Sequence, residues 1–314
     1  MKVFISGGAG FIGSHITTSL VEQDYQVTIF DNLSTGNKSN LPNHKNVNVV
    51  YGDISDLSAL QTAMQGHDIV FHQAALVSVP QSVKDPILNH TSNVTGTFNM
   101  FEAARQAEVK RIIYASSAAV YGNHPQLPKT EASPIQLLVP YATAKYISEL
   151  FADLYANLYG LESIGLRYMN VYGPKQDPSS PYSGVLSIFC RNALTSQPIR
   201  VFGDGEQTRD FIYVGDVVKA NLLAMKVNLT DQKSAVFNIG YGQPTSLNNI
   251  LSQLTKLTNH PLEVTYEANR PGDIKHSYAD ISAARSQLGF TPTTTLAEGL
   301  TYTLGWFRQT LTVS

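Results

Sequence analysis

Residues 3–13 read Val3-Phe4-Ile5-Ser6-Gly7-Gly8-Ala9-Gly10-Phe11-Ile12-Gly13, an apolar run that breaks into glycines and continues as an amphipathic segment. The run Val3 to Ser6, apolar on both faces, fits a strand buried inside a parallel sheet. The glycines behind it satisfy both GxxGxxG and GxGxxG. Such spacing permits a tight turn, close approach of a pyrophosphate to backbone N–H groups, and close packing of helix on strand. Any glycine-rich turn can carry the pattern. Here a strand precedes it and a helix candidate, Phe11 to Gln23, follows, which makes it the first βα unit of a dinucleotide-binding sheet.

Working outward, further Val- and Ile-rich runs lie at Val27 to Phe30, Val47 to Tyr51, Ile69 to His72, Ile112 to Ala115 and Ser163 to Arg167. Segments of helical period separate them, at Leu57 to Met64, Thr91 to Ala107 and Tyr141 to Tyr159. Strand and helix alternating in this way imply right-handed crossovers and an α/β fold: a Rossmann-type doubly wound parallel sheet. Past Tyr168 prolines punctuate shorter elements, which reads as a smaller C-terminal α/β region over the strand ends. The expected division is 1–168 for dinucleotide binding and mostly 169–314 for substrate, with a late strand near 236–239 returning to the sheet.

Composition narrows the function classes. With 22 Lys+Arg against 24 Asp+Glu and only 15% charged residues, the chain offers no bulk attraction to nucleic acid or to a membrane surface. Met1 to Gly7 reaches glycine too soon for the apolar core of a secretion signal, and no run approaches the roughly 20 apolar residues of a membrane span. The single cysteine, Cys190, reads as a small buried apolar residue; it excludes an intrachain disulfide, and the 8 histidines lack metal-ligand spacing. A cytoplasmic protein without a metal is expected.

Asp31 ends the second strand, eighteen positions after Gly13, where a carboxylate accepts hydrogen bonds from both adenosine ribose hydroxyls. That favours NAD over NADP, whose extra phosphate would be repelled. Asn32, Ser34, Thr35 and Gly36 follow and can line the same ribose. Asp53 and Ile54, at the end of the third strand, are placed to flank an adenine; Asp53 equally fits a cap for the next helix.

Strand five leads into Ser116-Ser117-Ala118-Ala119, and a later helix opens Tyr141-Ala142-Thr143-Ala144-Lys145. Spacing of four puts Tyr141 and Lys145 on one helical face. A phenol with a free pKa near 10 acts as a base at neutral pH only if its anion is stabilised. A lysine one turn away and a positive nicotinamide ring would do this, with the Ser117 hydroxyl holding the substrate oxygen.

These features resemble the extended short-chain dehydrogenase/reductase family of nucleotide-sugar enzymes, over nearly the whole chain. The resemblance rests on the glycine loop, Asp31, Phe71-His72-Gln73-Ala74-Ala75, Asn93, Ser117, Tyr141 and Lys145. It continues through Arg167 to Gly173, Gly203 to Phe211 and Arg270-Pro271-Gly272-Asp273. It implies that Gly7, Gly10, Phe11, Ile12, Gly13, Ala74 and Ala75 hold the cofactor and that Asn93 supports the active-site helix through backbone contacts. Arg209 and Arg270 would grip a UDP diphosphate, Asp273 a ribose hydroxyl and Asn170 the phosphate or sugar. Gln176, Gly184, Val185, Val201 and Phe202 would complete the substrate side. The alternative for each arginine is pairing with its neighbouring carboxylate, Asp210 or Asp273. Phe98 and Phe101, with Tyr146, Leu150 and Leu154, lie on helices that relatives use in a four-helix homodimer interface.

The same resemblance separates reactions. Dehydratases of the family carry an Asp-Glu pair where Ala118 and Ala119 stand, and decarboxylases a glutamate in this segment. Ser, Tyr, Lys and NAD alone suffice to oxidise a sugar alcohol and return the hydride, which is 4-epimerisation. Tyr121 to Lys129, Gln176-Asp177-Pro178 with Tyr182, and Gly272 to Ser277 look most like enzymes that interconvert UDP-N-acetylglucosamine and UDP-N-acetylgalactosamine. Ser277 occupies a size gate that is tyrosine in relatives restricted to non-acetylated sugars, although a serine there also fits a turn or cap before Asp280. Ala118 replaces a hydroxyl common in acetyl-preferring relatives, which leaves UDP-glucose as a further substrate. The rivals are a UDP-glucuronate 4-epimerase, which would need a carboxylate-binding group near carbon 6, and a silent NAD-sensing regulator, which the intact Ser117, Tyr141 and Lys145 oppose.

Overall fold

The computed structural model describes residues 1–178, 184–229, 232–269 and 274–313. Its first half runs β1(Lys2–Ser6), α1(Phe11–Val21), β2(Gln26–Asp31), β3(Val47–Tyr51), α2(Leu57–Met64), β4(Ile69–His72), α3(Val79–Lys84), α4(Pro86–Asn89), α5(Gly96–Gln106), β5(Arg111–Ser117), α6(Pro140–Tyr159) and β6(Glu162–Tyr168). The second half runs β7(Asn170–Tyr172), α7(Val185–Thr195), β8(Ile199–Phe202), β9(Thr208–Arg209), β10(Phe211–Tyr213), α8(Val214–Lys226), β11(Ser234–Ile239), β12(Thr245–Ser246), α9(Leu247–Thr258), β13(Val264–Glu267), β14(His276–Ser277) and α10(Leu296–Val313).

Seven parallel strands form the main sheet in the order β11-β6-β5-β4-β1-β2-β3, so the order reverses beside β1. Both faces are buried, as the Val- and Ile-rich runs require. On one face Val3, Ile5, Ile16 and Leu20 pack with Val217, Ala220 and Ala224 of α8; on the other Phe4, Phe30, Leu60, Met100, Phe101 and Tyr155 join α2, α5 and α6. The late strand is β11, as expected. The helix α8 also belongs to this sheet layer, so residues beyond 168 supply one flanking helix as well as one strand. A third core, with Leu186, Phe189, Cys190, Ile250, Leu254, Leu300 and Leu304, holds α7, α9 and α10 together. Cys190 is fully buried there and its thiol is pushed up to about 12 by that burial.

The expected helix from Thr91 to Ala107 is present to Gln106, but its opening turn is π-helical. Residues His90–Thr95 form a π-helical turn before α5 starts at Gly96. A Cβ at Gly96 would lie 2.6 Å from Ile54 Cδ1, and Asn93 turns inward to bond Leu76, so packing and hydrogen bonding outweigh the regular period here. The helix read at Tyr141 to Tyr159 starts one residue earlier: α6 runs 20 residues, with Pro140 in its first turn and Gly160 closing it at φ 70°.

Candidate active site

The glycine loop is shaped by its own packing. Gly7 has φ +73°, and a Cβ on it would sit 2.6 Å from Ala74 N; a Cβ on Gly13 would sit 2.2 Å from Gly7 O. Gly10 differs, because its Cβ would meet only Gly7 O, at 3.2 Å. Gly10 caps α1 without a side chain, and no acidic residue lies in the first turn. The amides of Phe11 and Ile12 therefore keep the unpaired donors of a helix start, a cradle that fits a pyrophosphate.

Asp31 is buried at the end of β2 and accepts from Ala9 N at 2.9 Å and Leu33 N at 2.8 Å, one on each oxygen. Each oxygen retains a lone pair, so the carboxylate fits a ribose diol. Next to it Asn32 donates to Asp53 Oδ2 at 2.7 Å and accepts from Ser34 N at 2.9 Å. Thr35 is exposed, and Gly36 packs beside Ala9. Asp53 does not cap α2; that role falls to Asp56, which accepts from Ala59 N at 3.0 Å, while Asp53 Oδ1 holds Ser55. Ile54 points its side chain into the core under Gly96, and its carbonyl accepts from Asn99 Nδ2 at 3.0 Å.

Ala74 and Ala75 lie half-buried in the segment after β4. Asn93 braces this segment rather than α6: it accepts from Leu76 N at 2.7 Å and donates to Leu76 O at 2.9 Å. Below it His72 is clamped between Ser6 Oγ, 2.8 Å, and Thr97 Oγ1, 2.9 Å. Burial, with the Lys145 charge nearby, brings that imidazole down to about 3, so it is neutral.

Ser117 ends β5 and Tyr141 begins α6, and the Ser117 hydroxyl lies near enough to the Tyr141 phenol to act on its ionisation. Lys145 Nζ lies 5.8 Å from the Tyr141 ring centroid and donates to Ala115 O at 2.9 Å. Burial brings the ammonium down to about 8. Burial raises the Tyr141 phenol, and the Ser117 hydroxyl acts in the opposite direction. Tyr141 thus holds its proton in this form.

Three supporting residues carried no sequence motif. Ser82 of α3 is buried and accepts from Tyr141 N at 3.2 Å, which supplies the cap that Val139 lacks. Ser116 donates to Glu149 Oε1 at 2.5 Å, and Glu149, one turn beyond Lys145, is ion-paired with Arg167. Spacing of four from Lys145 was the one available hint for Glu149.

On the substrate side, β9 lies between β12 and β14, and Ser277 is in register with Arg209. Ser277 is therefore a strand residue beside the arginine, and Asp280 makes its own turn with Ser282. The neighbour pairing considered for Arg209 is not seen. Asp210 is spent on the amides of Tyr241, Gly242 and Ala279, and Arg209 Nη1 donates to Thr208 O at 2.8 Å. Asn170 is exposed at the start of β7. Gln176 donates to Val171 O at 3.2 Å, while its buried Oε1 accepts no hydrogen bond among the described residues. Gly184 precedes α7 and lies against Gln176, with Val185 half-buried behind it. Phe202 is half-buried, and Val201 is fully buried with its side chain packed in the third core. Arg270, Asp273 and Tyr182 lie outside the described residues. Among the described residues no helix is long and apolar enough to cross a membrane.

A helix start with free amides, a buried carboxylate and a serine–tyrosine pair beside a buried lysine, all at the strand ends, fit a class: sheet enzymes that exchange hydride with a dinucleotide. The chain belongs to the NAD dependent epimerase/dehydratase family, whose model matches residues 3–240. It is similar to the UDP-glucose 4-epimerase of Thermotoga maritima, solved with UDP-glucose, at 38% identity and TM-score 0.94, covering 99% of this chain and 100% of that one. It is also similar to a UDP-N-acetylglucosamine 4-epimerase of Methanobrevibacter ruminantium in complex with UDP-N-acetylmuramic acid (39%, TM-score 0.94, 98% of each chain). A UDP-glucuronic acid 4-epimerase of Bacillus cereus, bound to UDP-glucuronic acid and NAD, matches at 30% identity and TM-score 0.90, covering 99% of this chain and 100% of that one. The chain is an NAD-dependent enzyme of this family.

Proposed function

We propose that the chain catalyses 4-epimerisation of a UDP-hexose through a transient 4-keto sugar. UDP-N-acetylglucosamine and UDP-N-acetylgalactosamine are its main pair, with UDP-glucose and UDP-galactose as a second. The observation that carries this is the pairing of Ser117 with Tyr141 while Ala118 and Ala119 follow, Ala118 packing against Met169, Ala279 and Ile281. No acid from that segment is available to expel a second sugar hydroxyl.

NAD, when bound, supplies the hydride acceptor, a positive ring charge, and later the hydride donor. The residues of the chain handle the proton. Ser117 holds the sugar's carbon-4 oxygen, and Tyr141, ionised when the nicotinamide charge adds to that of Lys145, takes its proton as the phenolate and afterwards returns it. Lys145, with its ammonium partly desolvated, favours the phenolate once it forms. Arg209, Arg270 and Asp273 hold the UDP, with Asn170, Gln176, Gly184, Val185 and Phe202 beside them. Gln176 Oε1 offers an unused acceptor. Ser277 leaves room for an acetamido group. In this reading 1–168, with the returning strand, bind the cofactor, and mostly 169–314 bind the substrate.

We read the protein as a cytoplasmic homodimer. Leu150, Leu154 and Leu158 of α6 are 50%, 47% and 64% exposed, and Phe98 of α5 is 41% exposed, an apolar face that a second copy would cover. Sedimentation of Leu154→Arg at micromolar concentration should give monomer.

The decisive experiment incubates the purified protein with UDP-N-acetylglucosamine, UDP-glucose or UDP-glucuronate without added reductant and follows the anomeric protons by NMR. Conversion of the first two without net NADH supports the reading; conversion of the uronate alone replaces it. Tyr141→Phe should retain NAD and lose turnover.

A further inference from the structure

The segment Gly173–Gln176, which leaves β7, is fastened to the nucleotide half at two points. His15 Nε2 of α1 meets Pro174 O at 3.0 Å, and Lys175 Nζ donates to Asn40 O at 3.3 Å. Asn40 in turn donates to Ala9 O at 3.0 Å, inside the glycine loop and adjacent to Gly10, where α1 begins. The chain Lys175–Asn40–Ala9 thus ties the lysine, through Asn40, to the loop that precedes that helix.

Three properties set Lys175 apart from a surface lysine. It is half-buried, and burial lowers its pKa. It sits at φ 66°, a backbone conformation that favours glycine, yet a long cationic side chain occupies the position. Among the described residues it has no carboxylate partner, only the Asn40 carbonyl. A half-buried cation without a counter-charge needs an anion to offset its desolvation. The cradle next to it is built for one: a dinucleotide pyrophosphate carries two negative charges, and α1 meets them with backbone amides alone.

We propose that Gly173–Gln176 is a strap that retains the dinucleotide, with Lys175 paired to its pyrophosphate and His15 anchoring the strap to α1. The inference goes beyond the sugar assignment and holds for any hexose, because it concerns only how long NAD stays bound. A retained cofactor is what a reaction that returns its own hydride requires.

The test uses the full chain loaded with labelled NAD, without sugar, and measures the release rate after dilution into unlabelled NAD. Lys175→Met should release label about tenfold faster at low salt, and Lys175→Arg within about threefold of wild type. The Met deficit should shrink as ionic strength rises from about 0.05 to about 0.5 M. His15→Ala should also release faster, but with the salt dependence of the unaltered protein, since the charge remains. Lys175→Gln, with circular dichroism and melting temperature as checks on folding, serves if the Met variant folds poorly. Release from both neutral variants at the wild-type rate, or a deficit that salt leaves unchanged, overturns the proposal. Neither result bears on which sugar is epimerised.

Discussion

Arg167 and Glu149 face each other fork to fork inside the molecule, Nη2 to Oε2 at 2.6 Å and Nε to Oε1 at 2.8 Å, with both side chains 6% exposed. The pair ties the last turn of β6 to the middle of α6, one turn beyond Lys145. Ser116 completes the Glu149 carboxylate, and Arg167 Nη1 reaches Tyr121 OH at 2.8 Å, which donates to Asn238 Oδ1 at 2.6 Å. Three neighbouring strands and α6 are thereby held in one buried polar network.

Removing one side of this pair leaves a buried charge uncompensated. Glu149→Ala should cost about 3 to 5 kcal/mol, read from the urea midpoint. Loss of under about 1 kcal/mol would mean that water or a rearranged neighbour satisfies Arg167.

The glycines of the loop should separate fold from cofactor binding. Gly13→Ala forces a Cβ to 2.2 Å from a backbone carbonyl and should unfold or strongly destabilise the protein. Gly10→Ala meets one carbonyl at 3.2 Å and should keep the melting temperature near that of the parent. Its NAD affinity should nevertheless drop by at least about tenfold, measured by calorimetry, because the methyl group takes the place of the approaching pyrophosphate.

His72 makes stability fall in acid. Its folded pKa, about 3, lies below the ordinary 6.5, so the unfolded chain takes up a proton in that window that the native state refuses. Stability should decline as pH drops from 6.5, by up to about 1.4 kcal/mol per unit from this group. His72→Gln, compared with the parent by denaturant titration at pH 7, 6, 5 and 4, should show a shallower decline; parallel curves would refute the assignment.

Ser277→Tyr should suppress turnover of acetylated UDP-sugars much more than of UDP-glucose, since the added ring occupies the space beside Arg209. Competition between the two sugars, followed by NMR, measures the ratio directly. Equal losses would remove Ser277 from the gate.

Local order was readable because it repeats over a few residues. The strand at Val3 to Ser6, the turn at Gly7 to Gly13 and the Tyr141–Lys145 face each follow from a period of two or 3.6, or from glycine spacing. The fold class follows from their alternation. Where the expected helix opens as a π-helical turn at His90–Thr95, the cause is non-local: Ile54 occupies the space next to Gly96, and Asn93 is drawn to Leu76.

The amino-acid sequence alone determined the parallel sheet, the anion cradle, Asp31 and the tyrosine–lysine face, because each is encoded by residues a few positions apart. Only the tertiary structure decided that Ser117 meets Tyr141, that Ser82 caps its helix, that Glu149 is held by Arg167 and that Ile54 and Val201 turn inward. Those contacts join residues 18 to 59 positions apart, as in Arg167 to Glu149 and Tyr141 to Ser82, or depend on which neighbour fills a core. Sheet register and packing bring such residues together, and no local period records them.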